Sequence, residues 1–268
     1  MALLHQATIT PTKLEVAAAW APGRAWFAGR VAPPLAVGSA FRFDDPAGEV
    51  GIETLLLQDA DGATVQVPLT YRGAPLEGAE GSLMGTMEHS VLGSRWVYDA
   101  AGDPVAVAAL VSAILNRGRE AELEVDTAEG RVRRESNASV LGSGVGTRGT
   151  GGTGDVGRTG DAGGSGGPGG AADAGGPADG SAHAAHLEAP TPAELGVPVV
   201  HDVSGATVVE AGRVRLVLPR IPGASADELR ALLHPDGVPD DDVVTGVLTG
   251  SWTGQPEPRI LALLELRG

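Results

Sequence analysis

Apolar and polar positions along the chain fall into two patterned regions separated by one with almost no large apolar side chain. From Met1 to about Leu141 the spacing predicts mixed α and β structure. Residues 142–185 are nearly all Gly, Ala, Asp, Ser, Thr and Pro. Such a stretch cannot offset its ordering entropy by burial and is predicted to be a disordered linker. From 186 to 268 strand-like patterning returns. In the first region Thr12-x-x-Glu15 forms a capping-box signature behind Pro11, predicting a short helix through Trp20 that Pro22 and Gly23 stop. Strand signals follow at Ala25–Ala28, Phe41–Phe43 and Ile52–Leu57. Asp59-Ala-Asp-Gly62 is a turn signal, and beyond it Val65, Val67, Leu69 and Tyr71 alternate with polar neighbours, predicting a β-hairpin. Leu83–Glu88 and Arg95–Tyr98 extend the sheet. Asp103-Pro104 then opens an apolar helix reaching about Asn116 and ended by Gly118.

In the last region Val197–Val200 and Arg213–Leu218 read as strands, and Ser225-x-x-Glu228 starts a helix running to His234. Val243–Trp252 and Arg259–Leu266 close the chain as strands. No repeat of 20–50 residues is visible. The fold class expected is a β-rich α+β protein: a curved antiparallel sheet with a few short helices, interrupted by a long disordered Gly-rich loop. The C-terminal strands are expected to pack on the first sheet.

Charge narrows the partners. With 19 basic and 34 acidic residues the formal net charge is −15, which repels nucleic acid and anionic membranes over most of the surface. There is no cysteine, which excludes disulfides and thiolate chemistry. The first residues lack a basic segment followed by an apolar one, and Val105–Leu115 is far shorter than the roughly 20 residues of a membrane span. A cytoplasmic location is therefore expected.

Several short patterns match chemical motifs in the wrong context. Gly144-Val-Gly146-Thr-Arg-Gly149 has dinucleotide-fingerprint spacing but opens a glycine tract with no helix behind it. Gly163-Gly-Ser165-Gly-Gly167 satisfies the nucleophile-elbow pattern without a strand and helix to hold the serine. His183-x-x-His186 with Glu188, and Asp240-Asp-Asp242, have metal-ligand residue types but read as solvated groups. Asn137-Ala-Ser139 is a glycosylation pattern with no meaning in the cytosol. Aromatic and basic residues around the β region are the better candidates for a partner or ligand surface: Arg24, Trp26, Arg72, His89, Arg95 and Trp96. The competing reading is that the tryptophans pack the core and the arginines neutralise carboxylates.

Longer stretches carry a resemblance. Phe41-Arg-Phe-Asp-Asp-Pro-Ala-Gly-Glu-Val-Gly-Ile-Glu53, Val67-Pro-Leu-Thr-Tyr-Arg72 and Glu88-His-Ser-Val-Leu-Gly-Ser-Arg-Trp-Val-Tyr-Asp99 resemble the N-terminal cap of bacterial maltokinases. Asp103-Pro-Val105 and Arg24-Ala-Trp-Phe27 add to it, and the resemblance runs through most of the first 115 residues. Maltokinases use ATP to make maltose 1-phosphate, with the chemistry performed by a core like that of aminoglycoside phosphotransferases. Such a core needs a strand lysine for the phosphates, a His-x-Asp loop with a following asparagine, and a metal-binding aspartate. Lys13 is the only lysine and belongs to a predicted helix; neither Asn116 nor Asn137 follows a His-x-Asp. No catalytic loop is expected.

The resemblance thus implies a non-catalytic, cap-like binding or regulatory protein of maltose, trehalose or glycogen metabolism. No cofactor is expected on its own; ATP and Mg²⁺ would enter only with a kinase core supplied by a partner. The partner would be a sugar kinase or an enzyme of trehalose or α-glucan metabolism. An accessory part of a kinase completed in trans is one alternative. A carbohydrate-binding module using Trp26 or Trp96 as a stacking platform is another.

Overall fold

The structure, a computed structural model, describes residues 2–4, 7–27, 29–127, 130–145, 188–237 and 243–268. In chain order the first part comprises β1 (Ala2–Leu4), β2 (Ile9–Thr10), α1 (Lys13–Trp20), β3 (Ala36–Phe43), β4 (Gly51–Gln58) and β5 (Thr64–Arg72). It continues with β6 (Leu83–His89), β7 (Gly93–Asp99), α2 (Pro104–Leu115), β8 (Leu123–Thr127), β9 (Gly130–Arg134) and β10 (Ala138–Gly142). The last part holds α3 (Pro192–Leu195), β11 (Val199–Val203), β12 (Ala206–Ala211), β13 (Val214–Pro219), α4 (Ala226–Leu233), β14 (Val243–Trp252) and β15 (Gln255–Arg267). The fold is β-rich α+β with antiparallel sheets and short helices, the class the residue pattern predicts.

The strands form two six-stranded sheets and a small one in which β1 runs parallel to β8, itself paired with β9. The first large sheet has the order β2-β6-β7-β5-β4-β3, and the second β10-β14-β15-β13-β12-β11. Counted within each sheet, both orders read first, fifth, sixth, fourth, third, second, and all pairings in both are antiparallel. The two halves therefore repeat one topology. Each begins with a short edge strand, and a Pro-Thr-x-x-Glu capping box follows it in both: Thr12 with Glu15, and Thr191 with Glu194. A search for short repeats misses this, because the unit exceeds 50 residues. Sheet order depends on alternation and turn placement rather than on residue identity.

Local chemistry explains the helices. Thr12 Oγ1 accepts the Glu15 N–H, and the Glu15 carboxylate accepts the Thr12 N–H at 2.7 Å. In α2 the Asp103 carboxylate accepts the Val105 N–H at 3.0 Å and Pro104 occupies the first turn, where its missing N–H costs nothing. Arg117, at a left-handed φ of 54°, turns the chain out of the helix. Helix α2 is apolar nearly all round and is accordingly buried on several sides. Val107 and Leu110 of α2 meet Ile52, Pro68, Leu216 and Leu261 around a cavity of about 40 Å³ between the two large sheets. The opposite face of the first sheet carries Leu55, Val65, Val67 and Val97 against Trp26 and α1. That of the second carries Val208, Val217 and Leu263 against Leu229 and Leu233 of α4. Each such leucine contributes on the order of 1.5–3 kcal/mol by leaving water.

Direct bonds join the sheets. The Gln66 N–H, on a stretch of β5 that β7 does not reach, donates to the Arg220 carbonyl at 2.7 Å, and Gln66 Nε2 donates to the Leu261 carbonyl at 2.9 Å. Asn137 Oδ1 accepts the Ala40 N–H at 3.1 Å, so the expected glycosylation pattern is a brace between β3 and β10.

Two expectations need correction. Ala25–Ala28 is not a strand over its described residues: the Phe27 N–H bonds back to the Arg24 carbonyl at 3.1 Å, rolling the chain into turns behind Pro22 and Gly23. The glycine-rich segment, expected from 142, begins later: Gly142 ends β10, and the Ser143 N–H donates to the Val247 carbonyl at 2.9 Å. The rest of that expected linker lies outside the described residues, as do His183, His186, the Gly163–Gly167 pattern and Asp240–Asp242. Gly142 is needed for its size. A Cβ there would lie 2.0 Å from the Ala113 carbonyl oxygen, in the last turn of α2. Gly142→Ala should therefore cost about 1–3 kcal/mol, read as a lowered denaturant midpoint; an unchanged midpoint would show that β10 does not press on α2.

Candidate functional site

A groove of about 790 Å³ opens at one end of the first sheet, where β5 finishes. Its walls are the β3–β4 loop, the start of α1 and the β6–β7 hairpin tip. Asp45 shapes the loop: one carboxylate oxygen accepts the Ala47 N–H at 3.0 Å, the other those of Glu49 and Val50 at 2.9 Å each. His89 shapes the hairpin tip. Its Nδ1 accepts N–H groups from Val91 (3.3 Å) and Leu92 (3.1 Å), which places any single ring proton on Nε2.

Glu53 forms the floor. It stands on β4 among Ile52, Leu55 and Leu56 and is only 4% exposed. A carboxylate in such a strand requires partners, and three reach it: Lys13 Nζ at 2.6 Å, Tyr71 Oη at 2.8 Å and Arg42 Nη2 at 3.3 Å. Arg42 is its direct cross-strand neighbour on β3. Tyr71 reaches it because β4 carries Gly51 opposite the ring; a Cβ at Gly51 would sit 3.1 Å from Tyr71 Cδ2. Burial alone would push the Glu53 carboxyl up, but Arg42 and Lys13, with the Lys13 and Tyr71 hydrogen bonds, hold it below its ordinary value. Burial and the adjacent Glu53 charge push the Tyr71 phenol well above its ordinary range, so it stays a neutral donor.

A depressed folded-state carboxyl contributes stability that is present above its unfolded value of 4.5 and is lost as pH falls through the lower folded value. Lys13→Ala removes one of the stabilising charges and raises that folded value. Its acid unfolding, followed by circular dichroism below pH 4.5, should begin at a higher pH than in the parent chain. Coincident acid transitions would remove Lys13 from this account.

The six expected surface residues do not form one site. His89 and Arg95 line the groove. Arg72 grips the buried Asp103 through two bonds of 2.6 Å, bracing the start of α2, and Trp96 is its half-buried cross-strand partner. Arg24 lies 4.8 Å over the Trp20 ring and donates to Asp202 at 2.7 Å. Trp26 is fully buried against Trp20, Phe27 and Arg220, so its expected role as a stacking platform is corrected: no ligand can reach its face. Sequence reasoning passed over Lys13, Arg42, Glu53 and Tyr71 as a cluster. The available signal was Glu53 itself, a charge inside an apolar strand.

One His-x-Asp spacing occurs in the chain, His234-Pro-Asp236. His234 caps the end of α4, its Nε2 lies 2.8 Å from the buried Glu265 carboxylate, and no asparagine follows it in the sequence. Among the described residues no group of three or more His, Asp or Glu side chains is placed to hold a metal ion. None of their helices is long and apolar enough to cross a membrane.

Residues 20–103 match the family model described as the maltokinase N-terminal cap domain. The match spans β3 to β7, five strands of the first sheet, and stops at Asp103, the cap of α2. It contains Arg42, Glu53, Tyr71, His89 and Arg95 but not Lys13. No curated protein matches the chain.

Proposed function

Starting from a maltokinase-type cap domain at residues 20–103, we propose that this chain is a non-catalytic binding or regulatory protein of maltose, trehalose or α-glucan metabolism that docks on an ATP-dependent sugar kinase. The observation that carries the reading is the cap-domain match in a sequence whose single lysine is held by Glu53, 2.6 Å away. Phosphoryl transfer relies on positioning and charge neutralisation around the nucleotide phosphates, and a lysine committed to a buried carboxylate is poorly disposed to supply either. ATP and Mg²⁺ would then belong to the partner's core. A net charge of −15 argues against a nucleic-acid or anionic-membrane partner and favours one with a complementary basic face.

The test is direct association. The tagged chain, passed through lysate of its own organism, should retain a sugar kinase or an enzyme acting on maltose, trehalose or α-glucan, identified by mass spectrometry. That enzyme, purified, should then form a complex of defined stoichiometry by light scattering. Retention of no such enzyme, or of one that does not rebind when pure, would refute the docking role.

A further inference from the structure

Counted within their sheets, β3 and β11 hold the same place: each is the second strand of its half and forms an outer edge. The edge of β3 is closed. Asn137 Oδ1 accepts the Ala40 N–H at 3.1 Å, Asn137 Nδ2 donates to the Gly38 carbonyl at 3.4 Å, and the Ala121 N–H donates to the Arg42 carbonyl at 2.8 Å. The Asn137 amide and Ala121 thus stand where a further strand would. The opposite edges are guarded too. Glu120 accepts the Val140 N–H of β10 at 2.8 Å, the Gly118 carbonyl accepts that of Gly142 at 2.9 Å, and β2 is only two residues long. In the small sheet, the edge strand β9 carries the exposed Arg131, Arg133 and Arg134. Covering, shortening and charging are the usual ways in which a protein keeps an edge from pairing.

Strand β11 has none of these guards. The two-residue turn Ser204-Gly205 makes Val203 and Ala206 a hydrogen-bonded pair, so Val199, His201 and Val203 bond inward to β12. Val200 and Asp202 therefore turn their N–H and C=O groups outward, and among the described residues nothing bonds to these groups. Pro198, with no N–H to offer, bounds the edge on one side, and Arg30, bonded to Ser204 at 2.9 Å, bounds it on the other. The side chains add no charge. Val199 is 53% exposed and His201 is exposed. The carboxylates on and beside the strand are paired, Asp202 with Arg24 at 2.6 Å and Glu210 with Arg215 at 3.4 Å. On a chain of net charge −15, an edge without uncompensated charge is one that a second copy can approach.

We propose that β11 is the contact through which two copies of this chain associate, pairing antiparallel about a two-fold axis at His201. In that register the outward groups of Val200 meet those of Asp202 in the second copy, and each finds a partner. Val199 lies opposite Val203 of the second copy, and His201 lies opposite its own counterpart at a close, non-hydrogen-bonded position. The edge is thus self-complementary, as an isologous interface requires, which favours a second copy over a foreign strand. Pairing one short strand buries little area, so the dimer should be weak, with a roughly micromolar dissociation constant. It stands whether or not a kinase docks elsewhere.

Sedimentation velocity of the full chain from about 1 to about 100 µM tests it, with hydrogen exchange of residues 199–203 read at both ends of that range. The parent should pass from monomer to dimer, and the Val200 and Asp202 amides should exchange more slowly at the high end. Val200→Pro removes an N–H that bonds to nothing within the chain, at an edge position that tolerates proline, and should weaken association at least about tenfold. His201→Asp sets two carboxylates face to face across the axis and should leave a monomer throughout. Val132→Asp, at another exposed valine, should dimerise as the parent does. Thermal transitions identify any unfolded variant; His201, being exposed, carries the test if Val200→Pro does not fold. A parent that stays monomeric would overturn the proposal, as would a dimer that both edge variants retain or that leaves the two amides unprotected. So would protection of those amides only when a foreign protein is bound, which would assign the edge to that protein's strand.

Discussion

Arg220→Ala is expected to destabilise the protein by about 3–5 kcal/mol, a large part of the total stability of an ordinary domain. Arg220 is 0% exposed, and its guanidinium donates to the buried Asp99 carboxylate and to Thr207 Oγ1 at 2.8 Å while lying 5.1 Å over Trp26. Asp99 ends β7 of the first sheet and Arg220 follows β13 of the second, 121 residues later. Removing the arginine strands a carboxylate in an apolar interior, which costs far more than the pair contributes net. The control is Arg230→Ala, whose partner Asp227 is 95% exposed and whose loss should cost no more than about 1 kcal/mol. A double replacement, Asp99→Leu with Arg220→Met, should recover much of the loss by removing both charges. Denaturant unfolding of the four proteins measures this. Equal midpoints for Arg220→Ala and Arg230→Ala would mean that the buried pair does not join the halves.

The second large effect concerns the C-terminal half alone. Residues 186–268 expressed by themselves are expected to be unfolded by circular dichroism and to gain strand signal on mixing with residues 1–145. The second sheet borrows its edge strand β10 from the first part of the chain, pairing Ala138 with Trp252 and Gly142 with Leu248. Its inner face needs α2, and Arg220 needs Asp99. Without them β14 presents an open edge, and a chain of this size buries too small a share of its surface to compensate. Cooperative thermal melting of the isolated half, unchanged on mixing, would show instead that the repeated unit folds by itself.

Most individual elements were legible in the sequence because their signals are local. The Asp59–Gly62 turn between alternating runs gave the β4–β5 hairpin, and the Thr12 and Ser225 capping boxes gave α1 and α4. What was not legible depends on pairing across long separations. Ala25–Phe27 has the aromatic content of a strand, yet Trp26 serves as a core plug within a turn. The split into two sheets, and their shared order, follows from which edges meet, and no short window of residues carries that. The groove was half visible: His89 and Arg95 lie in the stretches resembling a cap, but Lys13 joins them only because α1 lies across the sheet, 40 residues in sequence from Glu53. Arg24 and Arg72 drew attention as charges beside aromatics, and each turned out to have a specific carboxylate partner.

The central claim, that this chain acts as a cap-type partner and not as a kinase, is tested most directly by measuring maltose 1-phosphate formation from maltose and ATP–Mg²⁺. The chain alone should form none above background, and adding it to the kinase core it retains from lysate should change that core's rate. Turnover by the rigorously purified chain alone, persisting in Lys13→Ala, would contradict the account.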